Sequence, residues 1–262
     1  MFVDSHCHLS FSPLAEDGGA VLARMRAAGV VAAVNVCTHL AEFERVHALA
    51  LREPDVWCSV GVHPDHQGQP EPDVDTLVRL AQRPRVVAIG ETGLDYYRLT
   101  EPLDWQRQRF RIHIHAACRA GLPLIVHSRA AARDTLDILR EEGAGQVGGV
   151  MHCFTETREV AEAVLDLGFY ISFSGIVSFR NADALRQVAN YVPADRLLIE
   201  TDAPYLAPVP MRGKTNEPAN VLFVADAVAR ARGLTRAQVG EVTAENAMRL
   251  FKGLSVAVNA TS

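Results

Sequence analysis

The sequence predicts a single-domain α/β protein, a (β/α)8 TIM barrel, and three observations support that fold class. Eight short apolar runs recur along the 262 residues, helical segments separate them, and little of the length is left over for insertions. Near-continuous runs of Val, Ile and Leu are typical of parallel strands that are covered on both faces. Length alone also permits two smaller domains, but eight strand–helix units of this size fit one barrel. We therefore predict a barrel domain at residues 1–253 and a loose C-terminal tail at 254–262.

The predicted strands and helices alternate regularly along the chain. The strands lie near residues 2–6, 30–37, 56–62, 85–90, 122–126, 147–152, 168–173 and 196–201. Between them, VLARMRAAG and EFERVHALALRE have helical character, as do DWQRQRFRIHIHAACRAG, AARDTLDILREEG and TREVAEAVLDLG. Each of the last three segments ends in a glycine, which predicts a C-terminal helix cap. The final residues, GLSVAVNATS, lack periodicity and therefore predict the loose tail.

Composition and charge are typical of a cytoplasmic protein. The net charge of −5 supplies no overall positive field for nucleic acid, so any phosphate contacts would have to be local. The five cysteines are widely separated and form no CxxC pair, as expected for reduced thiols. The segment MFVDSH is unlike a signal peptide, and no apolar run approaches the roughly 18 residues of a membrane span. We expect no membrane association and no obligate protein partner.

Six side chains that can ligate a metal lie at the C-terminal ends of predicted strands. They are His6, His8, Glu91, His127, His152 and Asp202. The strands are placed by apolarity alone, so this coincidence independently supports a site at the barrel end where active sites of such folds lie. Imidazoles and carboxylates together suit Zn, Mn, Fe or Mg. The sequence therefore predicts a metal-dependent hydrolase.

The ligand set favours two divalent ions over one. Six ligands exceed the three that a catalytic zinc usually takes from protein, and Glu91, from the middle strand of the set, is the candidate bridge between two ions. Residues two apart in a strand face the same way, so His6 and His8 can share an ion. Asp4 precedes His6 by two residues, faces the same way and is expected to orient an imidazole. Glu200 likewise precedes Asp202 by two residues and is expected to orient a ligand. One ion, with the remaining groups orienting its ligands, is the alternative.

The motifs that carry these residues resemble those of the TatD family of metal-dependent hydrolases, the TatD-type deoxyribonucleases of the amidohydrolase superfamily. The motifs are DSHCHL, GVHP, GETGLDYY, HSR, HCFT, and ETDAPYLAP followed by RGKTNEP. The resemblance extends over nearly the whole chain, from residue 2 to about residue 251. The roles that it implies are His6 and His8 on one ion, His127 and His152 on the other, Glu91 as the bridge, and Asp202 as a ligand of the first ion that also accepts a proton from the nucleophilic water.

The same resemblance implies a nuclease. The expected reaction is 3'-5' exonuclease-like cleavage of DNA phosphodiester bonds by a metal-bridged hydroxide, with Asp202 and Glu91 as catalytic residues. The ligands alone equally support hydrolysis of another ester or amide, for example an aminoacyl-tRNA ester or a small-molecule amide. A non-catalytic metal-binding interaction protein is a third hypothesis.

Further side chains at the same barrel end are predicted to bind substrate. They are His63, Arg129, Arg212, Lys214, Tyr96 and Tyr97. His63 ends the third strand and is expected to contact substrate or phosphate rather than a metal. The loop with Arg212 and Lys214 follows strand eight, where such barrels frequently bind phosphate. The two tyrosines could stack on an unpaired base or pack over the barrel mouth, and the predicted partner is DNA bound locally at that mouth.

Overall fold

A computed structural model describes residues 1–68, 70–99 and 103–255, and these residues form one eight-stranded parallel sheet. The strands, which pair in chain order, are β1 (Phe2–Cys7), β2 (Val30–Asn35), β3 (Val56–Val60), β4 (Val86–Asp95), β5 (Leu124–Arg129), β6 (Gly149–Met151), β7 (Tyr170–Phe173) and β8 (Leu197–Ile199). The predicted (β/α)8 barrel is confirmed.

Nine α-helices occur within the described ranges, and most of them lie between successive strands. They are α1 (Gly18–Ala27), α2 (Phe43–Arg52), α3 (Val74–Ala81), α4 (Asp104–Ala120), α5 (Ala132–Glu141), α6 (Arg158–Asp166), α7 (Asp183–Tyr191), α8 (Val221–Arg232) and α9 (Arg236–Leu250). Gly121 ends α4 in the left-handed conformation, with φ 68°, as the sequence predicts. No helix of the described residues is both long and apolar enough to cross a membrane.

The N-terminal end of the barrel is filled by apolar side chains. Val3, Trp57 and Leu198 belong to one buried cluster with Phe251, which follows α9. The indole Nε1 of Trp57 donates to the carbonyl of Gly253 at 3.0 Å, and Leu254 is also buried in this cluster. The rest of the predicted tail, residues 256–262, lies outside the described residues. Since this end is packed, the opposite end of the barrel carries the candidate site.

Hydrogen bonds join the segment after β8 to β1 and close the barrel at the candidate site. The backbone N–H of Asp202 donates to the carbonyl of His6 at 2.9 Å, and that of His8 donates to the carbonyl of Ala203 at 2.7 Å. Asp4 reinforces the junction, because it accepts from the backbone N–H and the hydroxyl of Thr201. Asp202 is thereby held beside the two histidines of β1.

Strand β4 is longer than the sequence predicts. The predicted strand ends at residue 90, whereas the observed one continues to Asp95. Its pairing with β5 shifts register between Ile89 and Thr92, next to Glu91. Glu91 therefore projects from within a paired strand, which gives its carboxylate a more rigid base than a loop would.

His113 in α4 is a buried histidine that joins α4 to the segment after β3. Its Nε2 accepts from the backbone N–H of Val62 at 3.0 Å, and its Nδ1 donates to the carbonyl of Arg109 at 2.8 Å. Both partners fit only the neutral ring, and burial lowers the pKa of His113 to about 4.

We expect the pKa of His113 to make the fold acid-sensitive. The folded value lies below the ordinary 6.5, so the unfolded chain binds the extra proton between those values. Stability from this residue is complete above pH 6.5 and is lost as the pH falls towards 4, by about 3 kcal/mol. Urea unfolding of the wild type and His113→Gln from pH 7 to pH 4.5 measures this. Parallel pH profiles for the two proteins would contradict it.

Candidate metal centre

The carboxylate of Glu91 lies at the middle of the candidate site, and its Oε2 atom faces the histidines of β1. Oε2 is 3.3 Å from Nε2 of His6 and 3.8 Å from Nε2 of His8. Asp202 reaches the same two nitrogens, with Oδ1 at 3.6 Å from His6 and 3.3 Å from His8. The four residues therefore form one half of the centre, on the β1 side.

The other oxygen of Glu91, Oε1, faces three different imidazoles. It lies 2.9 Å from Nε2 of His152, 3.3 Å from Nδ1 of His127 and 3.2 Å from Nε2 of His63. Ligand atoms of His63, Glu91 and His127 lie within 4.8 Å of one another, as do those of His6, His8 and Glu91. A third such group, His6, His152 and Asp202, joins the two sides. The two oxygens of one carboxylate thus serve two sets of nitrogens, an arrangement that a bridging ligand requires.

Hydrogen bonds at the ring nitrogens that point away from Glu91 determine which nitrogen of His8 and His152 is available to bind a metal. Nδ1 of His8 donates to the carbonyl of Val36 at 3.3 Å, and Nδ1 of His152 donates to Oε1 of Glu200 at 3.2 Å. Nε2 is therefore the nitrogen of each ring that faces the centre, and it can bind an ion once it has given up any proton it carries.

His63 and His127 are oriented in the same way by carboxylates. Nδ1 of His63 donates to Oδ1 of Asp65 at 2.5 Å, and Nε2 of His127 donates to Oδ2 of Asp95 at 3.1 Å. An anionic acceptor fixes the ring and makes its other nitrogen a stronger ligand. The nitrogens that remain, Nε2 of His63 and Nδ1 of His127, are those that face Glu91.

The donor set fits a divalent metal. Nε2 of His152 is buried and has no hydrogen-bond partner among the described residues, although it lies close to Glu91. A buried nitrogen of this kind calls for an explanation, and a cation between it and the carboxylate provides one. Imidazole nitrogens and carboxylate oxygens suit Zn, Mn, Fe or Mg, so these residues can hold such ions.

Charge balance in the centre also favours a cation. Burial opposes ionisation of Glu91, but the imidazoles, foremost His152, outweigh it and hold the pKa of this carboxyl well below its ordinary value. Burial likewise opposes protonation of His63, yet Glu91 and Asp65 raise the pKa of His63 to about 9. Without metal, protons on imidazoles therefore balance the carboxylate. A divalent ion would displace those protons and supply their charge.

Two glycines let β4 bring Glu91 this close to β5. A Cβ at Gly90 would lie 2.6 Å from the carbonyl oxygen of Ile125, and a Cβ at Gly93 would overlap the carbonyl oxygen of His127. Both have positive φ, 149° at Gly90 and 129° at Gly93, where other residues are strained. The glycines of the GETG motif thus allow close packing against the strand that carries His127.

The structure brings all six predicted ligands together, but it gives Asp4 a different partner from the predicted one. Asp4 binds Thr201 and the backbone of His6 instead of an imidazole. A register shift between Asp4 and Cys7 interrupts the two-residue alternation on which the prediction relied. Glu200 does orient an imidazole, that of His152.

Sequence reasoning missed Asp65 and Asp95. Both had a signal, because Asp95 continues the two-residue period that starts at Glu91, and Asp65 follows His63 by two. His63, predicted to contact substrate rather than a metal, lies with its Nε2 among the possible ligand atoms.

The remaining predicted substrate residues lie outside this cluster. The hydroxyl of Tyr96 donates to Asp134 at 2.6 Å, and burial and that bond raise the pKa of Tyr96 to about 12. Tyr97 is 67% exposed, and the guanidinium of Arg129 lies 4.0 Å from its ring centroid. The guanidinium of Arg212 lies 4.0 Å from the ring centroid of Phe179, and Lys214 is exposed.

Known proteins are similar to this chain in sequence and fold. The family model described as TatD related DNase matches residues 3–252. An uncharacterized metal-dependent hydrolase of Escherichia coli K12, YcfH, is 50% identical over 252 residues, which cover 95% of each chain. The 3'-5' ssDNA/RNA exonuclease TatD of Salmonella typhimurium is 35% identical over 255 residues, covering 95% of this chain and 98% of that protein. The crystal structure of YJJV, a TatD homologue of E. coli K12, matches with a TM-score of 0.90 at 29% identity, covering 95% of this chain and 97% of that one.

We expect Gly93→Ala to destabilise the protein by roughly 3 kcal/mol, because backbone strain adds to the overlap with His127. Gly29→Ala is the matched control, since Gly29 also has positive φ, 77°, but a Cβ there meets nothing within 4 Å. Its cost should be roughly 1–2 kcal/mol. Urea unfolding of the metal-free proteins measures both, and equal losses would argue against close packing of β4 on β5.

Proposed function

The chain belongs to the TatD family of metal-dependent hydrolases, and from that premise we propose a 3'-5' exonuclease that acts on single-stranded DNA with two divalent ions. The observation that carries the proposal is that the two carboxylate oxygens of Glu91 face different histidines. Oε2 faces His6, and Oε1 faces His152. Under this proposal His6, His8 and Asp202 would hold one ion, His127 and His152 would hold the other, and Glu91 would contribute to both.

Such ions, when bound, lower the pKa of a water molecule and polarise a phosphoryl oxygen. The chain's own part is to fix the ligands and to handle protons. Glu200 and Asp95 hold the rings of His152 and His127 by their far nitrogens. The imidazoles therefore need little reorganisation during the reaction, which is the main requirement of a preorganised site.

Asp202 is the proposed proton acceptor for the attacking water. Burial opposes its charge, but a hydrogen bond from His8 and the charge of His6 outweigh burial and lower the pKa of Asp202. Its side chain is 15% exposed, compared with 3% for Glu91. An ionised carboxylate that is still open to solvent can accept a proton from water and release it.

Exposed aromatic and basic side chains support a single-stranded polyanion as the substrate. Tyr97 and Tyr205 are both more than half exposed, at 67% and 53%, and Tyr205 follows Asp202 closely in the chain. Aromatic faces bind unpaired bases without sequence preference, while Arg129, Arg212 and Lys214 can neutralise phosphates. The Salmonella relative, named as an exonuclease of single-stranded DNA and RNA, supports the same substrate class.

Hydrolysis of another ester or amide is the second candidate. The net charge of −5 favours it, since the chain has no overall field that attracts a polyanion. The centre itself does not discriminate, because activated water attacks phosphorus and carbonyl carbon alike.

The experiment is cleavage of single-stranded DNA, labelled at the 3' or the 5' end, by metal-stripped protein titrated with Mg, Mn or Zn. We expect stepwise shortening from the 3' end that one of these ions restores. His127→Ala should reduce the rate by at least ~100-fold, because an ion ligand is lost. His115→Ala is the matched control, as His115 is an exposed histidine that contacts Glu142, the residue that follows α5. Absence of shortening in wild-type protein that binds metal would favour the second candidate.

A further inference from the structure

One guanidinium links the two carboxylates that orient His63 and His127. Nη1 of Arg98 forms an ion pair with Oδ2 of Asp65, whose other oxygen holds His63. Nε of Arg98 lies 3.9 Å from Oδ2 of Asp95, the same atom that accepts from His127. The backbone N–H of Arg98 also donates to Oδ1 of Asp95 at 3.0 Å. Arg98 therefore contacts both acceptors, and its ion pairs within the described part of the chain are with these carboxylates and not with an imidazole.

The two carboxylates need such a link. Side-chain exposure is 0% for Asp95 and 30% for Asp65, so water screens Asp95 poorly. Each must stay ionised and stationary to hold its imidazole. A cation between them offsets their mutual repulsion and fixes their separation, because the planar guanidinium presents several donors in a rigid arrangement.

We propose that Arg98 is a positioning residue that sets the affinity of the Glu91 Oε1 side of the centre for its ion, acting through Asp65 and Asp95. The effect is confined to that side, since the ring of His8 is held by the carbonyl of Val36 instead. This inference rests on the metal-binding part of the proposed function and is independent of the substrate.

The chain offers a matched control for Arg98. Arg26 also bridges two carboxylates, with Nε 2.7 Å from Asp55 and Nη2 2.9 Å from Glu53. Its side chain is 44% exposed, and that of Arg98 is 48% exposed. Asp55 precedes β3, so this bridge lies at the packed end of the barrel, away from the centre. Loss of either arginine removes a bridge made by a half-exposed side chain, but only Arg98 contacts the carboxylates that hold His63 and His127 beside Glu91.

The test is calorimetric titration of metal-stripped protein with Mn or Zn. His127→Ala and His8→Ala first identify the two binding phases. Arg98→Gln should weaken metal affinity by ~10- to 100-fold in the phase that His127→Ala abolishes. It should change the affinity of the phase that His8→Ala abolishes by less than ~2-fold. Arg26→Gln should bind both ions like the wild type. Arg98→Lys should recover part of the lost metal affinity, because lysine restores the positive charge but not the planar set of donors that reaches both carboxylates. In an Asp65→Asn background, Arg98→Gln should have a smaller effect, because one of the two links is already broken.

Two outcomes separate this inference from the proposed function. If Arg98→Gln binds both ions like the wild type, or weakens both phases equally, Arg98 does not position this side and the inference is wrong. If the wild type binds no divalent ion at all, the proposed function fails together with the inference.

Discussion

The carboxylate of Glu91 is buried among five imidazoles, and the rest of the site is arranged around that charge. An isolated buried carboxylate is costly unless it is paired and hydrogen-bonded, so the barrel surrounds it with groups that carry or attract positive charge. Without metal, protons on His63 and His152 serve this purpose, because their pKa values are raised. With metal, ions would take over, which couples the stability of the centre to the ion that it binds.

The barrel supplies this arrangement because parallel strands end at one rim. Glycines at positions 90 and 93 let β4 pack closely against β5, so Glu91 and His127 meet. Hydrogen bonds from Asp202 and His8 across the β8–β1 junction bring the remaining ligands to the same point. Acceptors on the outer side of four of the five rings then fix their orientation, and these rings are those of His8, His63, His127 and His152. Rigid strands and fixed rings together give the preorganisation that hydrolysis requires.

Much of this could be predicted from the sequence, because apolar runs locate strands and strand ends locate ligands. The barrel and the meeting of the six ligands follow from those two patterns. The role of Asp4 could not be predicted, since a local register shift in β1 breaks the alternation. The extension of β4 to Asp95 was missed as well, because polar Glu91 and the glycines look like a turn until β5 is known to cover them. The link through Arg98 joins residues 33 positions apart, and only the fold reveals it.

The most direct test of the central role of Glu91 is the number of ions bound per chain, counted by native mass spectrometry after reconstitution with Zn or Mn. We expect two ions in the wild type and at most one in Glu91→Gln, which keeps the size of the side chain but removes the bridging charge. Circular dichroism should show that the variant remains folded. Saturation of the wild type at one ion, or two ions retained in Glu91→Gln, would contradict a centre built on a bridging carboxylate.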